Sequence, residues 1–132
     1  MSQENVEIVL DGYARANAGE RVPQLDFWHE NGEYHTSPED PDSEVHRGIE
    51  AIRRQFASWY EAYPDLQVEP QDSRATADQV FVWVRFVGHG ADSGVPIQME
   101  VAHVWTMRDG KAARVVEFLD REQALDSLGL SE

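Results

Sequence analysis

Residues 95–120 read VPIQMEVAHVWTMRDGKAARVVEFLD, and the reading of this stretch decides the fold. Two arms of alternating residues flank Arg108-Asp109-Gly110, a turn signal that folds one strand back on the next. On the first arm Met99, Val101, His103 and Trp105 share one face, and Glu100, Ala102, Val104 and Thr106 share the other. On the second arm Val115, Glu117 and Leu119 oppose Arg114, Val116, Phe118 and Asp120. A histidine and a glutamate therefore stand on faces that a core would claim. An unpaired buried carboxylate is costly, so Glu117 is expected to pair or to line a wet pocket.

Turn length fixes which of these it is. A three-residue turn pairs Met107 with Lys111, His103 with Val115 and Val101 with Glu117. His103 and Glu117 then share a face on a diagonal, within reach of one another. A two-residue turn would send Glu117 to the other face, so the inference depends on one residue of register. In contact, the carboxylate orients the imidazole, and the two form a general acid–base pair.

Outward from the hairpin, period-two patterning continues. Strands are expected at 66–75, 79–90, 97–107 and 112–120, in a meander. Upstream the period becomes helical. Val6, Val9, Leu10, Tyr13 and Asn17 mark a helix over 3–18; Ile49, Ile52, Phe56, Trp59 and Tyr63 mark another over 49–63, stopped by Pro64. Between them the pattern predicts a short helix over 21–29, a turn at Asn31-Gly32, a short strand over 33–36 and a solvated loop, SPEDPDSE, over 37–44. A final short helix is expected over 121–128, ended by Gly129. Helices followed by strands give an α+β fold. The expected architecture is a conical one. A strongly curved, mostly antiparallel sheet wraps around three N-terminal helices and encloses a pocket, with a short C-terminal helix and one domain over 1–132.

Composition narrows the function. The 132 residues carry 25 acidic against 11 basic side chains, a formal charge of −14. That charge repels phosphate backbones and acidic membrane surfaces, so neither nucleic acid nor membrane is an expected partner. With no cysteine, disulfides and thiolate chemistry are excluded. The opening MSQENVEIVL lacks the basic-then-apolar pattern of a secretory signal, and a cytoplasmic domain is expected. No HExxH or EF-hand loop is present; His29, His46 and the acidic loop read as solvated surface, and no metal site is expected.

The order of motifs resembles the nuclear transport factor 2-like superfamily, specifically its SnoaL-like (polyketide cyclase-like) branch, with ketosteroid isomerase as a relative. The residues that carry the resemblance are the first helix with Tyr13, Glu33-Tyr34-His35, and His46-Arg47-Gly48. The hairpin completes it, with Ala102-His103-Val104-Trp105-Thr106 and Arg108-Asp109-Gly110-Lys111. The resemblance implies that Tyr13 occupies the place of the isomerase's oxyanion-hole tyrosine, and His103 that of its protonated aspartate. The isomerase's basic aspartate would fall near His35 or Thr36, where this chain has none, so that mechanism is not intact. Nor do Arg85 and its neighbours clearly supply the Asp-Arg-Asp group of epoxide hydrolases on this scaffold.

The expected catalytic set is His103, Glu117 and Tyr13. The expected pocket wall is Trp28, Tyr34, His35, Trp59, Tyr63, Met99, Val101, Trp105, Val115 and Leu119, with only one of Tyr34 and His35 able to look inward. Three functions compete. One is a cofactor-independent isomerase, cyclase, lyase or hydrolase for a hydrophobic small molecule. The second is a ligand-binding module without turnover. The third is a structural dimer. Val80, Val82, Val84 and Phe86 oppose Phe81 and Trp83, so β-strand 79–90 is apolar on both faces, and a homodimer through the outer sheet face is expected.

Overall fold

The computed structural model describes residues 2–21 and 23–131. Its elements run α1 (Ser2–Asn17), β1 (Trp28–His35), β2 (Val45–Arg47), α2 (Ile49–Ala62), β3 (Gln67–Ala75), β4 (Gln79–His89), β5 (Pro96–Arg108), β6 (Lys111–Phe118) and α3 (Arg121–Ser127). The six strands form one open sheet in the order β2-β1-β6-β5-β4-β3. Only β1 and β6 are parallel; every other neighbouring pair is antiparallel. This is the α+β cone expected from the sequence. No helix among the described residues is long and apolar enough to cross a membrane.

The concave face holds the main core. Val9 and Tyr13 of α1 and Ile52 of α2 pack against Val80, Val82 and Val84 of β4, Val101 and Trp105 of β5, and Val115 of β6. Each fully buried aliphatic side chain here contributes about 1.5–3 kcal/mol. The end of α1 is tied to the sheet edge by Asn17. Its amide donates to the Val68 carbonyl at 2.8 Å and its oxygen accepts from the Val68 N–H at 2.9 Å.

Three local expectations are corrected. The described residues among 21–29 do not form the expected helix, residue 22 lying outside them; a turn over 25–27 leads directly into β1 at Trp28. The reason is backbone pairing with a distant strand. The Ala112 N–H donates to the Phe27 carbonyl at 2.7 Å, and Trp28 pairs with Ala112. Phe27 and Trp28 are then buried side by side while Leu25 is 64% exposed, which no helical stripe would produce. Asn31-Gly32 is not a chain reversal but part of an irregularity within β1, where the register shifts between Trp28 and Glu33. A Cβ on Gly32 would lie 2.8 Å from the Trp28 ring, so the close approach requires glycine.

The third correction concerns the hairpin. The turn has two residues, not three. Asp109 and Gly110 have φ of 54° and 77°, the type I′ geometry, and Arg108 pairs with Lys111. A bulge follows at once, because Met107 pairs with Ala112 but Thr106 with Arg114, leaving Ala113 as the extra residue. Each irregularity shifts the parity of the pairing by one. Together they restore it, so His103 and Glu117 share a face after all, directly opposite one another rather than on a diagonal.

The outer face has its own core. Phe81, Ala102, Val104, Ala124 and Leu125 are buried together, with Trp83, Phe118, Leu128 and Leu130 packed around them. Helix α3 thus packs on part of the outer face of β4 and β5. Asp120 caps it, accepting from the N–H groups of Glu122 and Gln123.

Candidate functional site

His103 lies at the middle of β5, 4% exposed, between Val82 on β4 and Glu117 on β6. Both of its ring nitrogens are engaged. The Tyr13 hydroxyl lies 2.7 Å from Nδ1, and the Trp105 indole N–H donates to that same hydroxyl oxygen at 2.8 Å. On the other side, Nε2 lies 3.3 Å from Oε2 of Glu117, which also accepts from the Tyr34 hydroxyl at 2.8 Å.

The chemistry of the two ends fixes the direction of this chain. An indole N–H can only donate and a carboxylate can only accept. With the proton on Nε2, every donor finds an acceptor. Trp105 donates to Tyr13, Tyr13 donates to Nδ1, and Nε2–H and Tyr34 donate to Glu117. In the ring that carries one proton, the arrangement therefore places the hydrogen on Nε2.

Electrostatics follow from the same contacts. Burial pushes the Tyr13 phenol far up from its ordinary value, opposed by the Trp105 hydrogen bond and reinforced by the charge of Glu117. Burial and the adjacent Glu117 carboxylate raise Tyr34 likewise. Both phenols stay protonated. For Glu117, burial acts upward, but the hydrogen bond and charge of His103 and the Tyr34 hydroxyl act downward and prevail. The carboxylate is thus held ionised in a mostly apolar setting.

The chain of hydrogen bonds borders a cavity of about 90 Å³ between α1, α2 and the concave face. Tyr13, Phe27, Trp28, Trp59, His103 and Trp105 are among its walls. Gly12 of α1 admits Phe27 here, since a Cβ would lie 2.9 Å from the Phe27 ring. Arg15 and Glu20, ion-paired at 3.0 Å, also border the cavity and mark where it meets solvent.

The sequence-derived wall divides accordingly. Trp28, Tyr34, Trp59 and Trp105 border the cavity with Tyr13 and His103. Glu117 does not; it stands behind His103. Of the pair left open, Tyr34 points inward and is 2% exposed, whereas His35 turns to the outer side and bonds Glu33 at 2.8 Å. Val101 and Val115 are fully buried core, closed off from the cavity. Met99 and Leu119 follow the right alternation but run beyond the helices that cover the sheet, leaving them 48% and 49% exposed. Tyr63, at the end of α2, borders a separate hollow beside the β4–β5 loop. Sequence reasoning missed the indole N–H of Trp105 as a member of the hydrogen-bond chain, and Phe27, Phe56 and Phe86 as cavity walls. Trp105 was recoverable in principle, because it lies two residues from His103 on the same strand face.

An open, curved sheet over two helices, with a small apolar cavity and one polar chain across it, defines a protein of the nuclear transport factor 2-like class. Within that class the chain belongs to the SnoaL-like domain family, whose model matches residues 9–115. Nothing among curated proteins matches the chain. Solved structures with the same fold include a candidate SnoaL-like polyketide cyclase from Jannaschia sp. CCS1, at 22% identity and a TM-score of 0.79, with 91% of this chain and 88% of that one covered. TerC, solved with polyporic acid, is 22% identical with a TM-score of 0.75, covering 89% and 92%. SalBIII, an epoxide hydrolase/cyclase-like enzyme of pyran ring formation in salinomycin, is 20% identical with a TM-score of 0.76, covering 90% and 92%.

Proposed function

We propose that this SnoaL-like protein binds a hydrophobic small molecule against its concave face and moves a proton on it without a cofactor, as an isomerase- or cyclase-type enzyme. The observation that carries the reading is the continuous buried chain from Trp105 through Tyr13 and His103 to Glu117 and Tyr34, set in apolar walls. Family membership and the fold of ring-forming and ligand-binding neighbours support it as well.

The chemistry suited to this arrangement is removal of a proton next to a carbonyl. The Tyr13 oxygen takes the ligand's proton while its own passes to Nδ1 of His103. The electron pair of the broken C–H bond moves into an enolate, and the imidazolium formed is stabilised by Glu117. Return of the proton to another carbon completes an isomerisation. Attack of the enolate carbon on an internal carbonyl completes a cyclisation, the proton then passing to the new alkoxide. Glu117 acts through His103 and is a positioning residue; Tyr13 and His103 are the groups that meet the ligand.

A second reading, ligand binding without turnover, is favoured by one specific feature. Both nitrogens of His103 are satisfied within the protein, and 90 Å³ is small beside the several hundred Å³ of a typical small-molecule site. Exchange of α-protons of hydrophobic cyclic ketones in deuterated water, followed by NMR, separates the two. Wild-type protein should catalyse exchange and His103→Ala should not. Ketones that quench tryptophan fluorescence on binding but show no catalysed exchange would establish the binding module instead.

A further inference from the structure

A third hollow, of about 300 Å³, lies on the outer side of the sheet near the β5–β6 turn, away from the hydrogen-bond chain. It is framed by His29, Asn31 and Glu33 from β1, Thr106 and Arg108 from β5, and Arg114 from β6. Two backbone irregularities build it. The shift within β1 pushes residues 29–31 out of register, and the bulge at Ala113 bends β6 beside them. The His29 ring spans the gap, with Nε2 2.8 Å from the Arg108 carbonyl, and pins the two together.

The charges in this hollow are unbalanced, with two guanidinium groups against one carboxylate. Arg15, Arg47, Arg53, Arg74, Arg85 and Arg121 each have a carboxylate within 4 Å. Arg108 and Arg114 have none among the described residues, although the chain carries 25 acidic side chains. The one carboxylate in the hollow, Glu33, is already committed. Its Oε1 bonds Nε2 of His35 at 2.8 Å and its Oε2 lies 3.5 Å from Arg47. Arg114 is the register partner of Glu33 and still lies outside ion-pair distance. The Thr106 hydroxyl accepts a long bond from Gln79 at 3.4 Å, which leaves its own proton to donate.

We infer that this hollow binds an oxyanion, the phosphoryl or carboxyl group of a small molecule. Two guanidinium forks grip it, and Thr106 and the Asn31 amide add neutral donors. The charge of −14 turns polyanions such as nucleic acid away, so a small ligand fits and a polymer does not.

The test is an amide-resolved NMR titration of the full chain with inorganic phosphate and, separately, with malonate, against sodium chloride at matched ionic strength. The expected result is saturable shifts at Asn31, Thr106, Arg108 and Arg114, with a Kd on the order of a millimolar. Tighter phosphate binding assigns a phosphoryl ligand and tighter malonate binding a carboxyl one. Arg108→Gln with Arg114→Gln should weaken binding by about tenfold or more. Arg108 keeps its carbonyl for His29 in that variant, and Arg114→Gln alone, at an exposed side chain, serves if the pair unfolds. Equal shifts with chloride, no saturation by either anion, or unchanged binding in the variants would overturn the inference.

Discussion

Of the three histidine–carboxylate pairs among the described residues, two that look alike in isolation differ most in setting. His89 and Asp65 meet at 2.7 Å, with side chains 59% and 55% exposed. His103 and Glu117 meet at 3.3 Å, with side chains 6% and 18% exposed. The shorter contact is the less consequential one. Water screens the His89 pair and hydrates either partner if the other is lost. The His103 pair has no such substitute, and each of its members bonds a further buried group. Burial and continuation of the hydrogen-bond chain, rather than distance, separate a candidate site from a surface contact.

The sharpest way to break this contrast is through the proposed chemistry. His103→Ala should lower ketone α-proton exchange by about 10²–10⁴-fold, the usual range for loss of an acid–base group, while His89→Ala leaves it unchanged. Equal losses in both variants would erase the distinction. Glu117→Leu comes next. It strands His103 Nε2–H and the Tyr34 hydroxyl without an acceptor and should cost about 2–4 kcal/mol in urea unfolding.

Acid titration offers a finer cut. In the folded chain Glu117 lies below its ordinary value of 4.5, so the unfolded chain takes up the proton first as pH falls. Its stabilising contribution is therefore present above about that pH and is lost as pH falls through the folded value. Asp65 is also held low, first by the His89 side-chain hydrogen bond, but in an exposed setting. Glu117→Gln should remove more of the acid-side loss of stability than Asp65→Asn does; the reverse order would count against the burial argument. The smallest effect is expected of His89→Ala itself, whose urea midpoint should match the wild type.

The same contrast explains what could be read in advance. The faces of β5 were legible because alternation is a local property, and Met99, Val101, His103 and Trp105 do share one side. How far along that face the helices reach was not. Met99 and Leu119 were assigned to the pocket on parity alone, and the cover runs out before it reaches them. Residues 21–29 read as a helix carrying Leu25, Phe27 and Trp28, but a backbone bond from Ala112 draws Phe27 and Trp28 to the sheet. β2 was missed because Val45-His46-Arg47 carries no pattern of its own; it exists by pairing with β1. The choice between Tyr34 and His35 depended on which of them aligns with Val115 across a parallel pair, and that pairing lies outside any local window.

The sequence by itself determined the class of fold and the candidates His103 and Glu117, because periodicity and unexpected polar residues on apolar faces are written in neighbouring positions; Tyr13 joined them through the family resemblance. Tertiary structure alone decided that these residues meet. A type I′ turn and a one-residue bulge each reverse the facing of Glu117, and only their combination returns it to His103. Strand register is set by pairing partners far apart in the chain, and a single extra residue changes the face of everything beyond it.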